Sequence, residues 1–321
     1  MFLLQPLWGR ERKRNMEIIL ARTQGFCAGV ARAVKIVDQA LDKYGAPLYV
    51  FHEIVHNTHV INDFKKRGVV FVERTEDVPE GRGVIFSAHG VSPAVVRQAH
   101  ERRLKIIDAT CPLVKKVHMQ AIHFSQQNIP IALIGHRGHQ EIIGTAGYIT
   151  PGLLYFVENI QDVDRIPLDN EVPITYLTQT TLSIEDTAAL TQALKEKFPN
   201  LIEPDKSNIC YATKTRQDAV KELARMVEMI IVCGSASSSN SRRLRETGEK
   251  SGKPSCLIDR AGDLDLALLE NKQRIGISSG ASVPRAVVDD LVVRICQHFP
   301  RAKIRHLESP DQKVIFTVPE I

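Results

Sequence analysis

The sequence predicts an α/β protein made of three similar α/β lobes with mostly parallel sheets. Short apolar runs of about four to six residues recur along the chain and resemble buried strands. Amphipathic stretches of roughly ten to fifteen residues lie between many of these runs, an alternation typical of βαβ units. A block of several such units closes on Cys111, a second closes on Cys210, and a third runs to the C-terminus. These blocks predict the lobes.

The apolar runs and the stretches between them predict the individual elements in order. The predicted strands are MEIILA, PLYVF, GVVFVE, GVIFSA, LKIIDA, IPIALIG, LLYFVE, PITYLT, MIIVCG, PSCLID and RIGISSG. The predicted helices include residues 30–44, 93–103, 113–127, 183–198, 213–227 and 283–299. Many of these stretches open with Ser, Thr, Asp or Pro, which are helix-start residues.

We therefore expect a first lobe over residues 16–111, a second over 112–210 and a third over 211–321. The segment 16–28 belongs to the first lobe in sequence, but its strand could instead pack with the third lobe. No linker rich in Pro, Gly or Ser separates the blocks, so we expect them to pack closely. Residues 1–15 are interpreted as an extension, either a disordered tail or a start placed too early, with translation beginning at Met16. Their basic residues follow an apolar stretch, the reverse of a signal peptide.

Composition and charge exclude several classes of protein. The formal net charge is +5, from 42 basic and 37 acidic residues, and aromatic residues make up 6%. This is too little charge and too little stacking surface for a nucleic-acid-binding protein, but it suits an anionic small molecule or an acidic protein partner. No apolar run approaches the roughly 20 residues of a membrane span. Six cysteines are too few for a disulfide scaffold, so we expect a reducing cytoplasm.

Cys27, Cys111 and Cys210 each lie where a strand-like run gives way to a turn and a helix. Turns at the carboxyl ends of strands are where α/β proteins place reactive groups. Three thiolates from distant turns could hold a metal centre and leave one coordination position open. No CxxC pair is present, which argues against a zinc finger. The spacing leaves an iron–sulfur cluster, a catalytic zinc and three unrelated cysteines as alternatives.

The turns after the other predicted strands carry polar side chains. Histidines, hydroxyls and an amide at strand ends and helix starts are typical of an anion site. They include His52, Glu53, His56, Asn57, His89, His136, His139, Gln179, Thr180, Thr181, the serine run with Asn240 over residues 235–241, and Ser282. The alternatives are histidines satisfied as turn or cap residues and a flexible polar loop over the serine run. Glu141 is the best-placed acid for proton transfer, although an exposed glutamate at a helix start is the simpler interpretation. Neither GxxxxGK[ST] nor GxGxxG occurs, which disfavours an ordinary nucleotide site.

Ten motifs in order resemble one family closely. They are GFCAGVARAV, EIVHN, FSAHGVS, DATCPLV, KVHM, IGHRGHQE, TQTTLS, NICYAT, GSASSSNS and SSGASVP. Together they run from Gly25 to Pro284 and resemble the IspH/LytB family, the 4-hydroxy-3-methylbut-2-enyl diphosphate reductases of isoprenoid biosynthesis. The extension before Met16 matches nothing in the core of that family.

The resemblance implies three lobes around a central 4Fe–4S cluster, one per chain, bound by Cys27, Cys111 and Cys210. One iron is then open to the substrate hydroxyl. Glu141 is implied as the proton donor, acting through Thr180 near the reacting hydroxyl. The side chains implied to hold the substrate, mostly through its diphosphate, are His56, His89, His139, Thr180, Ser238, Ser239, Asn240 and Ser282.

The implied reaction is reductive dehydroxylation of (E)-4-hydroxy-3-methylbut-2-enyl diphosphate to isopentenyl and dimethylallyl diphosphate, the last step of the non-mevalonate pathway. The chain shows no flavin or nicotinamide motif, so the electrons must come from outside. The resemblance implies a ferredoxin or flavodoxin as their source. The first alternative is a cytosolic zinc-dependent hydrolase of a phosphorylated substrate. The second is a non-catalytic module that binds a diphosphate.

Overall fold

The computed structural model describes residues 16–204, 207–308 and 314–319. Within these ranges the strands form three separate sheets, and every recorded strand pairing is parallel. Helices alternate with the strands along the chain. The predicted α/β class with three similar lobes is confirmed. The expectation for residues 1–15 lies outside the described residues.

The elements are named here in chain order. The strands are β1 (Glu17–Leu20), β2 (Leu48–Phe51), β3 (Val69–Val72), β4 (Gly83–Phe86), β5 (Lys105–Asp108), β6 (Ile131–Ile134), β7 (Leu154–Val157), β8 (Ile174–Thr178), β9 (Leu201–Ile202), β10 (Met229–Cys233), β11 (Ser255–Ile258), β12 (Arg274–Ser279) and β13 (Lys303–His306). The helices are α1 (Ala28–Tyr44), α2 (Thr58–Lys66), α3 (Pro93–Glu101), α4 (Pro112–Gln126), α5 (Gln140–Ala146), α6 (Ile160–Asp164), α7 (Ile184–Lys197), α8 (Tyr211–Ala224), α9 (Ser239–Lys250) and α10 (Arg285–His298).

The first sheet has the order β3-β2-β4-β5, the second β7-β6-β8-β9 and the third β11-β10-β12-β1-β13. The N-terminal strand β1 therefore pairs with strands from the far end of the chain. Ile18 and Leu20 pack into one apolar cluster of the third sheet and Ile19 into another. Burial on both faces explains why residues 18–20 of β1 are all apolar. Lobe boundaries at residues 111 and 210 remain our proposal.

Two strands and several helices were not predicted. Strand β13 has the sequence KIRH and is exposed at every position, so it carries no apolar run. Strand β9 has only two residues. Helices α2, α5 and α6 are shorter than the ten to fifteen residues of the predicted helices, so their amphipathic pattern is too brief to stand out. No helix among the described residues is both long enough and apolar enough to cross a bilayer.

Candidate active site

One cavity collects the turns that follow strands of all three sheets. Because the carboxyl ends of parallel strands share one edge of a sheet, residues far apart in sequence meet there. The cavity is lined by all the predicted site residues: Cys27, His56, His89, Cys111, His139, Glu141, Thr180, Cys210, Ser238, Ser239, Asn240 and Ser282. The structure thus brings the whole set together, while the role of each residue remains a prediction.

The three cysteines occupy equivalent places at one end of this cavity. Cys27, Cys111 and Cys210 are the N-cap residues of α1, α4 and α8. A helix N-terminus carries partial positive charge, which favours a thiolate. Gly29 lies between two of the thiols, since a Cβ there would be 2.6 Å from Cys111 Sγ and 4.0 Å from Cys27 Sγ. Any larger residue at position 29 would displace a cysteine sulfur.

Burial of Cys111 and Cys210 raises the pKa of their thiols and so opposes the effect of the helix N-termini, which favour the thiolate. It raises the pKa of the Cys111 thiol to about 12 and that of Cys210 to about 11, and the neighbouring thiolates act in the same direction. The Cys111 and Cys210 thiols are therefore protonated when no positive group lies beside them. A bound metal group removes those protons, because its charge outweighs the desolvation cost.

Arg216 supports the presence of an anionic group at this end. It is only 2% exposed. Its guanidinium donates from Nη2 to the Gly25 carbonyl at 2.7 Å and from Nη1 to the Ala212 carbonyl at 3.3 Å, while Nε has no partner. Among the described residues it forms no ion pair with a carboxylate. Burial lowers its pKa, and the Cys27 and Cys210 thiolates oppose that shift. The acidic groups that act on this buried cation are Cys27, Cys210 and Tyr211, with no carboxylate among them, which fits a negatively charged metal–thiolate group.

The thiols do not converge on a single ion. In the described part of the chain, no three His, Cys, Asp or Glu side chains are arranged to hold one metal ion. Thiolates that each bind a different iron of a cluster need not converge on one point. The three sulfurs, the close approach of Cys111 Sγ to Gly29 and the buried Arg216 without a carboxylate partner fit such a cluster.

Three histidines form a compact group beside the thiols. The His56 and His89 rings stack with centroids 4.2 Å apart, and the His139 centroid lies 5.6 Å from His56 and 5.7 Å from His89. Burial, reinforced by the neighbouring histidines, lowers the pKa of His139 to about 3 and that of His89 well below its usual range. Without a ligand these two rings are neutral. A bound anion would favour their protonation.

Hydrogen bonds orient two of these rings. His139 Nδ1 accepts from the Glu141 backbone N–H at 3.1 Å, so a neutral His139 carries its proton on Nε2. His56 Nδ1 lies 2.9 Å from Glu53 Oε2, and a proton shared by these two atoms occupies Nδ1. The other ring nitrogen, Nε2, is then free to contact a ligand. The buried Nδ1 of His89 has no hydrogen-bond partner in the part of the chain that the structure describes.

The N-terminus of α9 forms the polar side of the cavity. Ser238 is its N-cap and accepts from the Ser241 backbone N–H at 3.3 Å. Asn240 Oδ1 accepts from the Ala281 N–H at 2.9 Å, while its buried Nδ2 has no partner within the described ranges. Ser282 Oγ donates to the His56 carbonyl at 3.0 Å. A helix N-terminus with unused donors is suited to a phosphate group.

Glu141 and Thr180 form a buried pair between the two ends. Glu141 is 2% exposed, so the interpretation of it as an exposed residue at a helix start is wrong. The Thr180 N–H donates to Oε1 at 2.6 Å, and the Thr180 hydroxyl donates to Oε2 at 2.9 Å. Burial raises the pKa of Glu141 to about 7, although both hydrogen bonds from Thr180 lower it. Near neutral pH the carboxyl is therefore able to gain or lose a proton.

The sequence placed Gln179 in a polar turn but indicated no role for it, and it did not indicate Phe316 at all. Gln179 donates from Nε2 to Ser239 Oγ at 3.2 Å and to Thr181 Oγ1 at 2.9 Å, and its Oε1 accepts from the His136 N–H at 3.1 Å. It thereby ties together turns that follow β6, β8 and β10. Its place in TQTT was the available signal. Phe316 also lines the cavity, and nothing in the sequence indicated that.

Comparisons with known proteins agree with the site. The family model described as LytB protein matches residues 18–296. The 4-hydroxy-3-methylbut-2-enyl diphosphate reductase of Histophilus somni is 48% identical over 307 residues, which cover 95% of this chain and 98% of the relative. The reductase of the same name from Methylococcus capsulatus is 47% identical over 307 residues, with the same coverage of both chains.

Solved structures show the same likeness. The E-1-hydroxy-2-methyl-but-2-enyl-4-diphosphate reductase of Plasmodium falciparum superposes with a TM-score of 0.92 at 36% identity, covering 95% of this chain and 96% of the other. A second structure, described as the terminal enzyme of the non-mevalonate pathway, gives a TM-score of 0.63 at 31% identity, covering 88% of this chain and 99% of the other. The chain belongs to the LytB family.

Proposed function

We propose that this protein catalyses the reductive dehydroxylation of (E)-4-hydroxy-3-methylbut-2-enyl diphosphate to isopentenyl and dimethylallyl diphosphate, as the last step of the non-mevalonate pathway. One observation carries the proposal. A buried carboxyl that titrates near neutral pH shares a cavity with three cysteine thiols. The reductase name of the relatives supports this enzyme activity, and nothing in the family supports the zinc hydrolase.

The cofactor that we propose is one 4Fe–4S cluster held by Cys27, Cys111 and Cys210. When bound, it supplies electrons and a Lewis-acidic iron beside the substrate. The chain's own contribution is to fix the three sulfurs at helix N-termini, to let Cys111 Sγ approach the backbone at Gly29 and to supply the buried charge of Arg216. A reducing cytoplasm would keep these thiols available.

The diphosphate would occupy the polar side of the cavity. Ser238, Ser239 and Asn240 would approach it from the start of α9, with Ser282 from the turn after β12. His56, His89 and His139 would approach from the first and second sheets. Asn240 Nδ2 and His89 Nδ1 are buried without a hydrogen-bond partner among the described residues, and each would meet a phosphate oxygen. Because an anion favours histidine protonation, we expect substrate binding to take up protons.

Glu141 would deliver a proton to the departing oxygen. Its carboxyl contacts the Thr180 hydroxyl, and Thr180 lines the cavity. A protonated Glu141 can donate to Thr180 Oγ1, which then donates its own hydrogen onward. The balance of the reaction is R–OH plus two electrons and two protons to R–H plus water. The second proton is added at either end of the allylic system, which accounts for both products.

The two electrons would come from an acidic protein of the ferredoxin or flavodoxin type. The net charge of +5 favours encounter with such a donor. Steering of this kind weakens as ionic strength rises.

The experiment that tests the proposal is turnover under anaerobic conditions. Protein purified without oxygen is analysed for iron and acid-labile sulfide, and is then mixed with the hydroxylated diphosphate and a reduced one-electron donor. We expect iron, sulfide and both isomeric products. Stoichiometric zinc without labile sulfide, or release of inorganic phosphate without reduced product, would contradict the proposed function.

A further inference from the structure

Cys210 differs from the other two cavity cysteines in what contacts its sulfur. The Thr213 backbone N–H donates to Cys210 Sγ at 3.3 Å, and the Thr213 hydroxyl lies 3.0 Å from the same sulfur. Cys27 and Cys111 cap their helices without a side-chain hydrogen bond. Within residues 16–204, 207–308 and 314–319, no hydroxyl is recorded on either of those two sulfurs. The thiol end is therefore asymmetric.

Thr213 is held in this position by its surroundings. It is 1% exposed and occupies the third position of α8, so the helix fixes its backbone. Rotation about χ1 to another staggered position would carry the hydroxyl away from the sulfur, so the contact belongs to the one rotamer seen here. A thiolate has no hydrogen to give, so the hydroxyl must donate to it.

A hydrogen bond to a cluster sulfur changes the energy of adding an electron. The donor stabilises the reduced, more negative state more than the oxidised state, and so raises the reduction potential. A hydrogen bond to a charged group is stronger than one between neutral groups, and this one lies in a buried site.

We propose that Thr213 is a positioning residue whose hydroxyl fixes the Cys210 sulfur and raises the reduction potential of the bound cluster. The inference rests on the proposed function, because it needs a cluster on Cys210. Beyond that function, it assigns to Thr213 a part in setting the reduction potential, and therefore in how readily an electron donor reduces the cluster.

The test compares Thr213→Val with Thr213→Ser. Valine keeps the shape of threonine and removes only the hydroxyl, whereas serine keeps the hydroxyl. Thr215→Val is the matched control, because the Thr215 hydroxyl donates to the Tyr211 carbonyl on the same helix and Thr215 is not among the residues that line the cavity. Each variant is loaded with its cluster without oxygen and titrated against redox dyes, with the reduced fraction followed by absorbance and electron paramagnetic resonance.

In Thr213→Val we expect the ratio of reduced to oxidised cluster, at one fixed potential, to fall about three- to tenfold, or roughly 30–60 mV for a one-electron couple. Thr213→Ser and Thr215→Val should match the unmodified protein. Equal potentials in Thr213→Val and the unmodified protein would overturn the inference. So would an unchanged potential with a raised KM, since the hydroxyl would then serve the substrate.

Two further results separate this inference from the proposed function. If Thr213→Val binds no cluster, Thr213→Ala replaces it in the same titration, and a potential equal to that of the unmodified protein overturns the tuning role. If the unmodified protein itself holds neither iron nor sulfide, the proposed function fails and the inference fails with it. If the unmodified protein holds its cluster and is active, but substitution of Thr213 leaves the reduction potential unchanged, only the inference about Thr213 is contradicted and the proposed function stands.

Discussion

The thiol end of the cavity (Cys27, Cys111 and Cys210) and its polar end (the three histidines with Ser238, Ser239, Asn240 and Ser282) are built in different ways. At the thiol end, each side chain is placed by the start of its own helix, and Cys27 and Cys111 have no side-chain cap bond. At the polar end, contacts cross between lobes. Ser282, after β12 of the third sheet, donates to the carbonyl of His56, after β2 of the first.

The difference indicates how each end works. Helix starts are rigid, so the thiol end is preorganised for one group of fixed shape. The polar end depends on turns from separate sheets holding one another, and it keeps unused donors such as Asn240 Nδ2. We expect loss of a cysteine at the thiol end to abolish binding of the cluster. At the polar end, we expect loss of each side chain to weaken substrate binding by a limited amount.

The largest effect is expected from Cys111→Ser, which removes one sulfur from the thiol end. Iron and sulfide content should collapse and turnover should fall to background, because the helix start cannot supply another thiolate. Iron analysis and anaerobic turnover measure this. Cys296→Ser is the control, since Cys296 does not line the cavity. Full iron content in Cys111→Ser would mean that the sulfur is not a ligand.

Glu141 lies between the two ends, and its removal should separate loading from chemistry. Glu141→Gln keeps the shape of the side chain but provides no acidic proton, so kcat should fall by about 10²- to 10⁴-fold while iron content and substrate affinity persist. Glu196→Gln, in α7 and away from the cavity lining, should have no effect. Undiminished kcat in Glu141→Gln would remove the assignment of Glu141 as proton donor.

The same carboxyl predicts a pH dependence. Burial raises the pKa of Glu141 to about 7 from an ordinary value of 4.5, so the acid form needed for donation is lost above about pH 7. Turnover should decline there, and the decline should be absent from the residual activity of Glu141→Gln. Because the folded pKa is raised, the contribution of Glu141 to the free energy of unfolding is fully present below about pH 4.5. It is lost as the pH rises towards 7.

The two ends also differ in how well the sequence predicts them. Cysteines and polar turns after apolar runs were visible because parallel strands align their carboxyl ends at one edge. The burial of Glu141 was not visible, because it depends on Thr180, 39 residues away. Arg216 was hidden in an amphipathic helix, and the exposed strand β13 had no apolar run. Periodicity reports which face of an element is buried, but it does not report which partner covers it.

A smaller effect at the thiol end is expected from Gly29→Ala. The added Cβ would lie 2.6 Å from Cys111 Sγ, so the sulfur must move. We expect iron affinity to fall by about 10- to 100-fold, as for other changes next to metal ligands. Gly262→Ala is the control, because the nearest atom to its Cβ is 3.5 Å away on a flexible arginine. Competition with an iron chelator measures the difference, and equal iron retention in both variants would contradict the close approach.

The smallest effect is expected at the polar end, from Ser239→Ala. Ser239 Oγ accepts from Gln179 Nε2, so its own hydrogen is free to donate to a ligand, and it does not serve as the cap of α9. Losing one hydrogen bond to a charged group costs roughly 1.5–3 kcal/mol at most, so we expect KM to rise about tenfold with kcat and iron content unchanged. Ser237→Ala is matched to it within the same serine run, but Ser237 is exposed and does not line the cavity. Steady-state kinetics that showed equal KM values for the two variants would place the diphosphate away from α9. The polar end would then need another ligand.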